Sequence, residues 1–345
     1  MTEGLKILSP GVHTTVQDFG RFGYQGLGVP VSGALDTESL RLANGLVGNP
    51  PDMAGLEILH HGPELEVLAD SVRVAVGGFG ASLNVLGDDA ATIPAWQSTK
   101  LRKGQKFRIT VAGTVLCCYL AVEGGFDLEP CLGSLSTYTR AGYGGYRGRI
   151  LRAGDNIPIK VTDVEDRDDL YLSSAPQYSP QAPIRVTWGL QQDYFTDASL
   201  KRFVSEPFTI HADADRMGFR IFGPSLKHQN DYDIVSDGIA TGAIQVPGNG
   251  HPIVLLSDHQ TTGGYPKIAT VISADLPALG RRKPGNEIRF AVIEVEQAED
   301  IRRDREASLQ NIEKRMEPVP NSPQIDLQQL YKANLISGVV KDEVD

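Results

Sequence analysis

Val115-Leu116-Cys117-Cys118-Tyr119-Leu120-Ala121-Val122, followed by Glu123-Gly124-Gly125, is an apolar run stopped by paired glycines. Its length, its aromatic and β-branched content and its glycine boundary predict a buried β-strand. Cys117 and Cys118 then belong to the core as small apolar side chains, not to catalysis. Cys131 brings the cysteines to three. An odd number with two adjacent does not suit a disulfide framework, so a reduced, cytoplasmic setting is expected.

The same kind of run recurs along the chain. Val72-Arg73-Val74-Ala75-Val76 and Ile253-Val254-Leu255-Leu256 are bounded by Gly77-Gly78 and Pro247-Gly248. With 37 glycines and 21 prolines among 345 residues, the chain has the turn chemistry of a barrel or sandwich. A short scheme appears three times, at 101–109 (Leu-Arg-Lys-Gly-Gln), 151–159 (Leu-Arg-Ala-Gly-Asp) and 282–290 (Arg-Lys-Pro-Gly-Asn). Each reads as a glycine turn entering an alternating strand, by duplication or by common hairpin chemistry.

Two helices interrupt this pattern. Asp36 is placed to cap a helix through Thr37–Asn44, with Leu40 and Ala43 on its apolar face. Ala298, Ile301, Leu309, Ile312 and Met316 mark an amphipathic helix carrying a Glu299–Arg303 pair and ended by Pro318 and Pro320. The acidic stretch after Val161 reads as a linker. The predicted organisation is mainly β in two β-rich units: 1–160, a linker at 161–183, a barrel at 184–296, and a helix and tail at 297–345. In the tail, Leu327, Leu330 and Tyr331 are candidates for docking on a partner.

A formal charge of −10 is wrong for a nucleic-acid or anionic-membrane binder. No apolar segment approaches the ~18 residues of a membrane span, and the first residues do not read as a signal peptide. No phosphate loop, dinucleotide fingerprint, HExxH or GxSxG is found. His60-His61 point to opposite faces of a strand. His211-Ala212-Asp213-Ala214-Asp215 reads as hydrogen bonding, so no metal is expected.

The richest candidate site is Asp258-His259-Gln260-Thr261-Thr262-Gly263-Gly264-Tyr265-Pro266-Lys267, which leaves a buried strand. Its mixed polar groups and paired glycines suit a binding loop, with Lys267 exposed at its end. Arg216-Met217-Gly218-Phe219-Arg220 either clamps an anion or pairs with Asp213 and Asp215. Gly242–Pro247, with Gln245, and Thr14–Arg21, with Gln17 and Arg21, are further candidates.

Taken in order, these motifs resemble one family. They are Thr14 to Arg21, Gly33-Ala34-Leu35-Asp36, Ala43 to Asn49, Leu56-Glu57, Gly62-Pro63, Gly133 to Thr137, Gly148-Arg149, Arg216-Met217-Gly218, Gly242 to Pro247 and Asp258 to Lys267. The chain resembles the KipA family, also called allophanate hydrolase subunit 2, from about Ile7 to Phe290. This family includes the C subunit of 5-oxoprolinase and the C-terminal half of the urea carboxylase carboxyltransferase domain. The resemblance implies a cyclophilin-like barrel within a hetero-oligomer, whose other members are a KipI-like B subunit and a LamB/YcsF-like A subunit. It implies ATP-dependent hydrolysis of 5-oxo-L-proline to L-glutamate. The alternatives are biotin-dependent carboxyl transfer to urea or a related amide, and a KipA-like regulator binding a kinase inhibitor. Within the matching motifs, residue chemistry suggests Lys267 and Arg216 as cations, Asp258 as base and Tyr265 as proton relay. Gln245 and Gln260 would orient the amide, with Thr261, Thr262, Gly263, Gly264, Gln17 and Arg21 as substrate-binding groups.

Overall fold

The structure is a computed structural model that describes residues 4–320 apart from 112, 175 and 230–232. It is mainly β. A six-stranded sheet and a five-stranded sheet form a sandwich in the first half, and an eight-stranded sheet forms the second.

The strand Cys117–Val122 is central to the five-stranded sheet, between Gly55–Leu59 and Ser71–Gly77. Its apolar continuity follows from burial on both faces. Cys118, Leu120 and Val122 enter the sandwich core, while Cys117 and Tyr119 enter the core of the second half. This one strand serves two cores, so neither of its faces is polar.

The eight-stranded sheet runs from Glu287–Ile288 at one end to Phe290–Val292 at the other. These are two parts of one chain segment. The first pairs with Phe208–Ile210 and the second, in parallel, with Ile184–Trp188. Between them, the Arg289 carbonyl accepts from the Ile184 amide at 2.8 Å. A single strand kinked at Arg289 thereby joins both edges, and the sheet becomes a nearly closed barrel.

The threefold scheme is one turn used three times. Gly104, Gly154 and Gly285 have φ of 82°, 87° and 85°. Their amides donate to Val67, Ile7 and Ile210 at 2.8 Å, and the following carbonyls accept from the amides of those same three residues. The side-chain oxygens of Gln105, Asp155 and Asn286 accept from the amide three residues earlier. The left-handed φ is what glycine supplies.

Helix α1, Thr37–Leu46, starts where Asp36 accepts from the Ser39 amide at 3.1 Å, and it buries Leu40 and Ala43. Helix α2 is Asp197–Ser205 and α3 is Leu276–Gly280. Helix α4, Val295–Glu313, has the Glu299–Arg303 pair at 3.0 Å. It stops before the prolines, a correction to the expected end. Met316–Pro318 instead forms a strand beside Leu170–Leu172, where ladder hydrogen bonds replace another helical turn. The connector is strapped to the first half: buried Arg73 holds Asp169 and the carbonyls of Glu165 and Arg167. Leu327, Leu330 and Tyr331 lie outside the described residues.

Candidate active site

Glu57 sits in the apolar strand Gly55-Leu56-Glu57-Ile58-Leu59, directly opposite Tyr119, and is fully buried. A carboxylate there needs partners. The Tyr119 hydroxyl donates to it at 2.7 Å and the Leu35 amide at 2.9 Å. Arg216, arriving from the barrel, donates to its other oxygen. Arg216 also holds Asp258 with two bonds, at 2.9 and 3.2 Å, and the Gly33 carbonyl at 2.6 Å. Burial works against its charge, but Asp258 and Glu57 outweigh it, so Arg216 holds its proton more tightly than an ordinary arginine.

Arg216 thus grips a carboxylate bidentately, as one reading expected, but the carboxylate is Asp258 of the chain itself. The other reading, pairing with Asp213 and Asp215, is corrected: Arg216 pairs with neither, and it is not a spare cation. The Gly33–Leu35 segment and the strand carrying Glu57 bring a carboxylate and a carbonyl to it from far away in sequence, and two carboxylates already claim its donors. Asp215 instead faces Arg140 at 3.4 Å.

Two adjoining clefts open beside this network. The larger, about 540 Å³, is lined by Arg140, Asp213, Asp215, Arg220, Gln245, Gln260 and Tyr265, among others. The smaller, about 270 Å³, is lined by His13, His60, Thr139, Arg140, Arg216 and Asp258, among others. Arg140, Asp215 and Met217 border both. His13 is held below the ordinary histidine range, chiefly by burial, with Arg216 adding to the effect against the pull of Glu57 and Asp258.

The structure gathers only part of the predicted set. Gln245, Gln260 and Tyr265 share the larger cleft, and Gln260 Nε2 lies 3.4 Å from Gln245 Oε1. Arg216 and Asp258 wall the smaller one. Lys267 is buried, which corrects its expected exposure. It opens the strand Lys267–Val271 opposite Gln245, and its ammonium lies 3.0 Å from Asp237. Hydrogen bonding from Lys267 holds the Asp237 carboxyl below its usual range. Gly263 pairs with Asp237, and a Cβ there would come within 2.6 Å of Gln245 Nε2. Gly264 follows it, and its carbonyl accepts from the Ile234 amide at 2.8 Å.

The remaining residues lie elsewhere. Thr261 and Thr262 line a separate groove with Phe22, Gln25 and Thr241. Gln17 is fully buried, donating to Thr15 and to the Thr137 carbonyl. Arg21 is buried against the Ser136 carbonyl and stands over the Tyr143 ring at 4.9 Å. Both brace the loop at 133–137, where Asp18 also accepts from Ser134 and the Leu135 amide.

Sequence reasoning gave no role to Glu57, Arg140 or Tyr119. For Glu57 a signal existed: one carboxylate in an otherwise apolar strand. Arg140 carries no such mark, because only the fold places it against Asp215. Among the described residues, no group of three or more His, Cys, Asp and Glu side chains could hold a metal ion. No helix among them is long and apolar enough to cross a membrane.

Residues 27–292 match the family described as carboxyltransferase domain, subdomain A and B. The chain belongs to this carboxyltransferase family. It is 37% identical to the C subunit of 5-oxoprolinase from Escherichia coli strain K12, over 88% of this chain and 95% of that protein. It is 34% identical to the C subunit of 5-oxoprolinase from Haemophilus influenzae, over 89% and 97%. Urea amidolyase of Lachancea kluyveri is 32% identical over 89% of this chain, which corresponds to 18% of that longer protein. The crystal structure of Kluyveromyces lactis urea carboxylase superimposes with a TM-score of 0.82 at 27% identity, over 94% of this chain and 31% of that one. The mainly β architecture is thus shared with the urea carboxylase structure, and the two relatives matched along nearly their whole length are subunits of an enzyme.

Proposed function

We propose that this chain is the C subunit of an ATP-dependent 5-oxoprolinase. The complex hydrolyses 5-oxo-L-proline to L-glutamate with KipI-like and LamB/YcsF-like partners. The observation that carries this reading is the end-to-end match to the 5-oxoprolinase C subunit, which leaves little of either chain unmatched. The larger cleft suits such a substrate. Arg140 and Arg220 offer cations for a carboxylate, Gln245 and Gln260 offer carboxamides to a lactam, and Tyr265 offers a hydroxyl for proton transfer to the leaving nitrogen. Lys267 supplies positive charge behind Gln245. Arg216 and Asp258 hold the cleft wall, a positioning role that replaces the free cation and base expected of them.

The likeness to urea carboxylase favours a second reading, carboxyl transfer from carboxybiotin to urea or a related amide. A planar urea would use the same carboxamides. Reconstitution separates the two. The chain mixed with its partner subunits is expected to release glutamate from 5-oxoproline only when ATP is present, and the chain alone to release none. Biotin-dependent carboxylation of urea, without glutamate release, would overturn the first reading in favour of the second.

A further inference from the structure

Away from these clefts, a further cavity of about 430 Å³ lies between the connector at 177–183, α3 and α4. Arg185, Arg281, Arg282 and Arg305 line it, with Glu38 and Asp275 as the acids. Three of the arginines are matched. Arg185 holds Asp275 through Nε at 3.0 and 3.2 Å. Arg281 holds Asp36 at 2.6 and 2.8 Å and Glu38 at 2.6 Å. Arg305 holds Glu38 at 2.5 and 2.7 Å.

Arg282 differs. It is only 1% exposed, and among the described residues no carboxylate pairs with it. One Nη2 bond reaches the Ala182 carbonyl at 2.9 Å, while the buried Nε has no acceptor. An arginine cannot escape this by losing its proton. Tyr178 is in a similar position. The Arg282 guanidinium stands over its ring at 5.7 Å and, by charge and hydrogen bonding, works against the burial that raises the hydroxyl's pKa, yet the buried hydroxyl has no hydrogen bond of normal geometry. Neither the Arg282 Nε nor the Tyr178 hydroxyl has a well-formed hydrogen bond, an uncommon arrangement for two buried polar groups on one cavity.

We infer that this cavity binds an oxyanion group, carboxylate or phosphate, of a small molecule, held by Arg282 Nε and the Tyr178 hydroxyl. An oxyanion would give Arg282 the counter-charge it lacks and accept from both donors. The cavity volume falls in the range of small-molecule sites, roughly 300–1,000 Å³, so the anion is one group of a larger ligand. Neighbouring Ser179 and Gln177 offer further polar contacts. The site is separate from the clefts around Gln245 and Asp258, and it does not depend on the proposed reaction.

Calorimetric titration of the full chain in low-chloride buffer tests this, with inorganic phosphate in one arm and succinate in the other. At least one arm is expected to show saturable binding and a raised melting temperature, and the responding arm identifies the oxyanion. Arg282→Gln keeps hydrogen-bonding capacity without charge and is expected to weaken binding by ~10-fold or more. Tyr178→Phe removes one hydroxyl from a half-buried ring, so it tests the site even if the arginine variant fails to fold; its binding is expected to weaken several-fold. Absence of binding in both arms, or equal binding by wild type and Tyr178→Phe, would overturn the inference.

Discussion

Arg216 of the barrel donates to Glu57 of the sandwich, across 159 positions of sequence, and this ion pair is buried where the two cores meet. Asp258 engages the same guanidinium from the barrel side. The pair ties the cleft wall to both halves. Removing one member leaves a buried charge short of its partner. Glu57→Gln or Asp258→Asn is therefore expected to destabilise the chain by about 3–5 kcal/mol. Urea unfolding followed by tryptophan fluorescence would measure it, and a loss under about 1 kcal/mol would show the network to be dispensable.

Lys267 is held behind Gln245 by an acid that is half exposed. Its ammonium is thus fixed in place, as an electrostatic stabiliser needs to be. Lys267→Ala is expected to lower turnover of the reconstituted complex by ~100-fold or more. Asp237→Asn, which frees the ammonium without removing it, should cost much less. Equal losses in the two variants would assign the pair to structure alone, and an unchanged rate in Lys267→Ala would end its catalytic assignment.

The three repeated turns make a test of backbone strain. Nothing lies within 4 Å of a Cβ added at Gly104, Gly154 or Gly285, so alanine meets no clash at any of them. Only the left-handed φ remains to be penalised. Each Gly→Ala change is expected to cost about 1–2 kcal/mol, and the three values should agree closely. A spread much wider than that in denaturant midpoints would mean that the turns are not equivalent.

Acidification should weaken the fold. Burial is the largest cause holding His13, His228 and His259 below the ordinary histidine range. Their unfolded forms therefore take up protons at higher pH than the folded forms do. Stability from this source is complete above about pH 6.5, the unfolded value, and is lost as pH falls below it. Scanning calorimetry is expected to show a steady melting temperature from pH 8 to 7 and a fall toward pH 5. His259→Asn should flatten part of that slope, whereas a wild-type profile level down to pH 5 would contradict the account.

Much of the fold was legible in the sequence because its determinants are local. The apolar run at Val115–Val122 pointed to a buried strand, and Cys117–Val122 within it is one. Asp36 and Ser39 are three residues apart, so the cap of α1 is written in a few letters, and the glycine turns carry their φ requirement in one residue each. The order of motifs was enough to indicate the family. The site was legible only as a set of polar groups. Nothing near Arg216 in sequence says that Glu57 will meet it, and nothing near Lys267 says that it will be buried against Asp237. Thr261 and Tyr265 belong to one loop, yet they line different hollows. Partners of this kind are chosen when the barrel closes through the strand at 287–292 and its core packs against the outer face of the Cys117–Val122 sheet. Burial then makes each charge seek whatever partner the closed fold puts within reach. That selection acts through space over distances of a few ångströms, so it belongs to the tertiary structure and not to the order of residues along the chain.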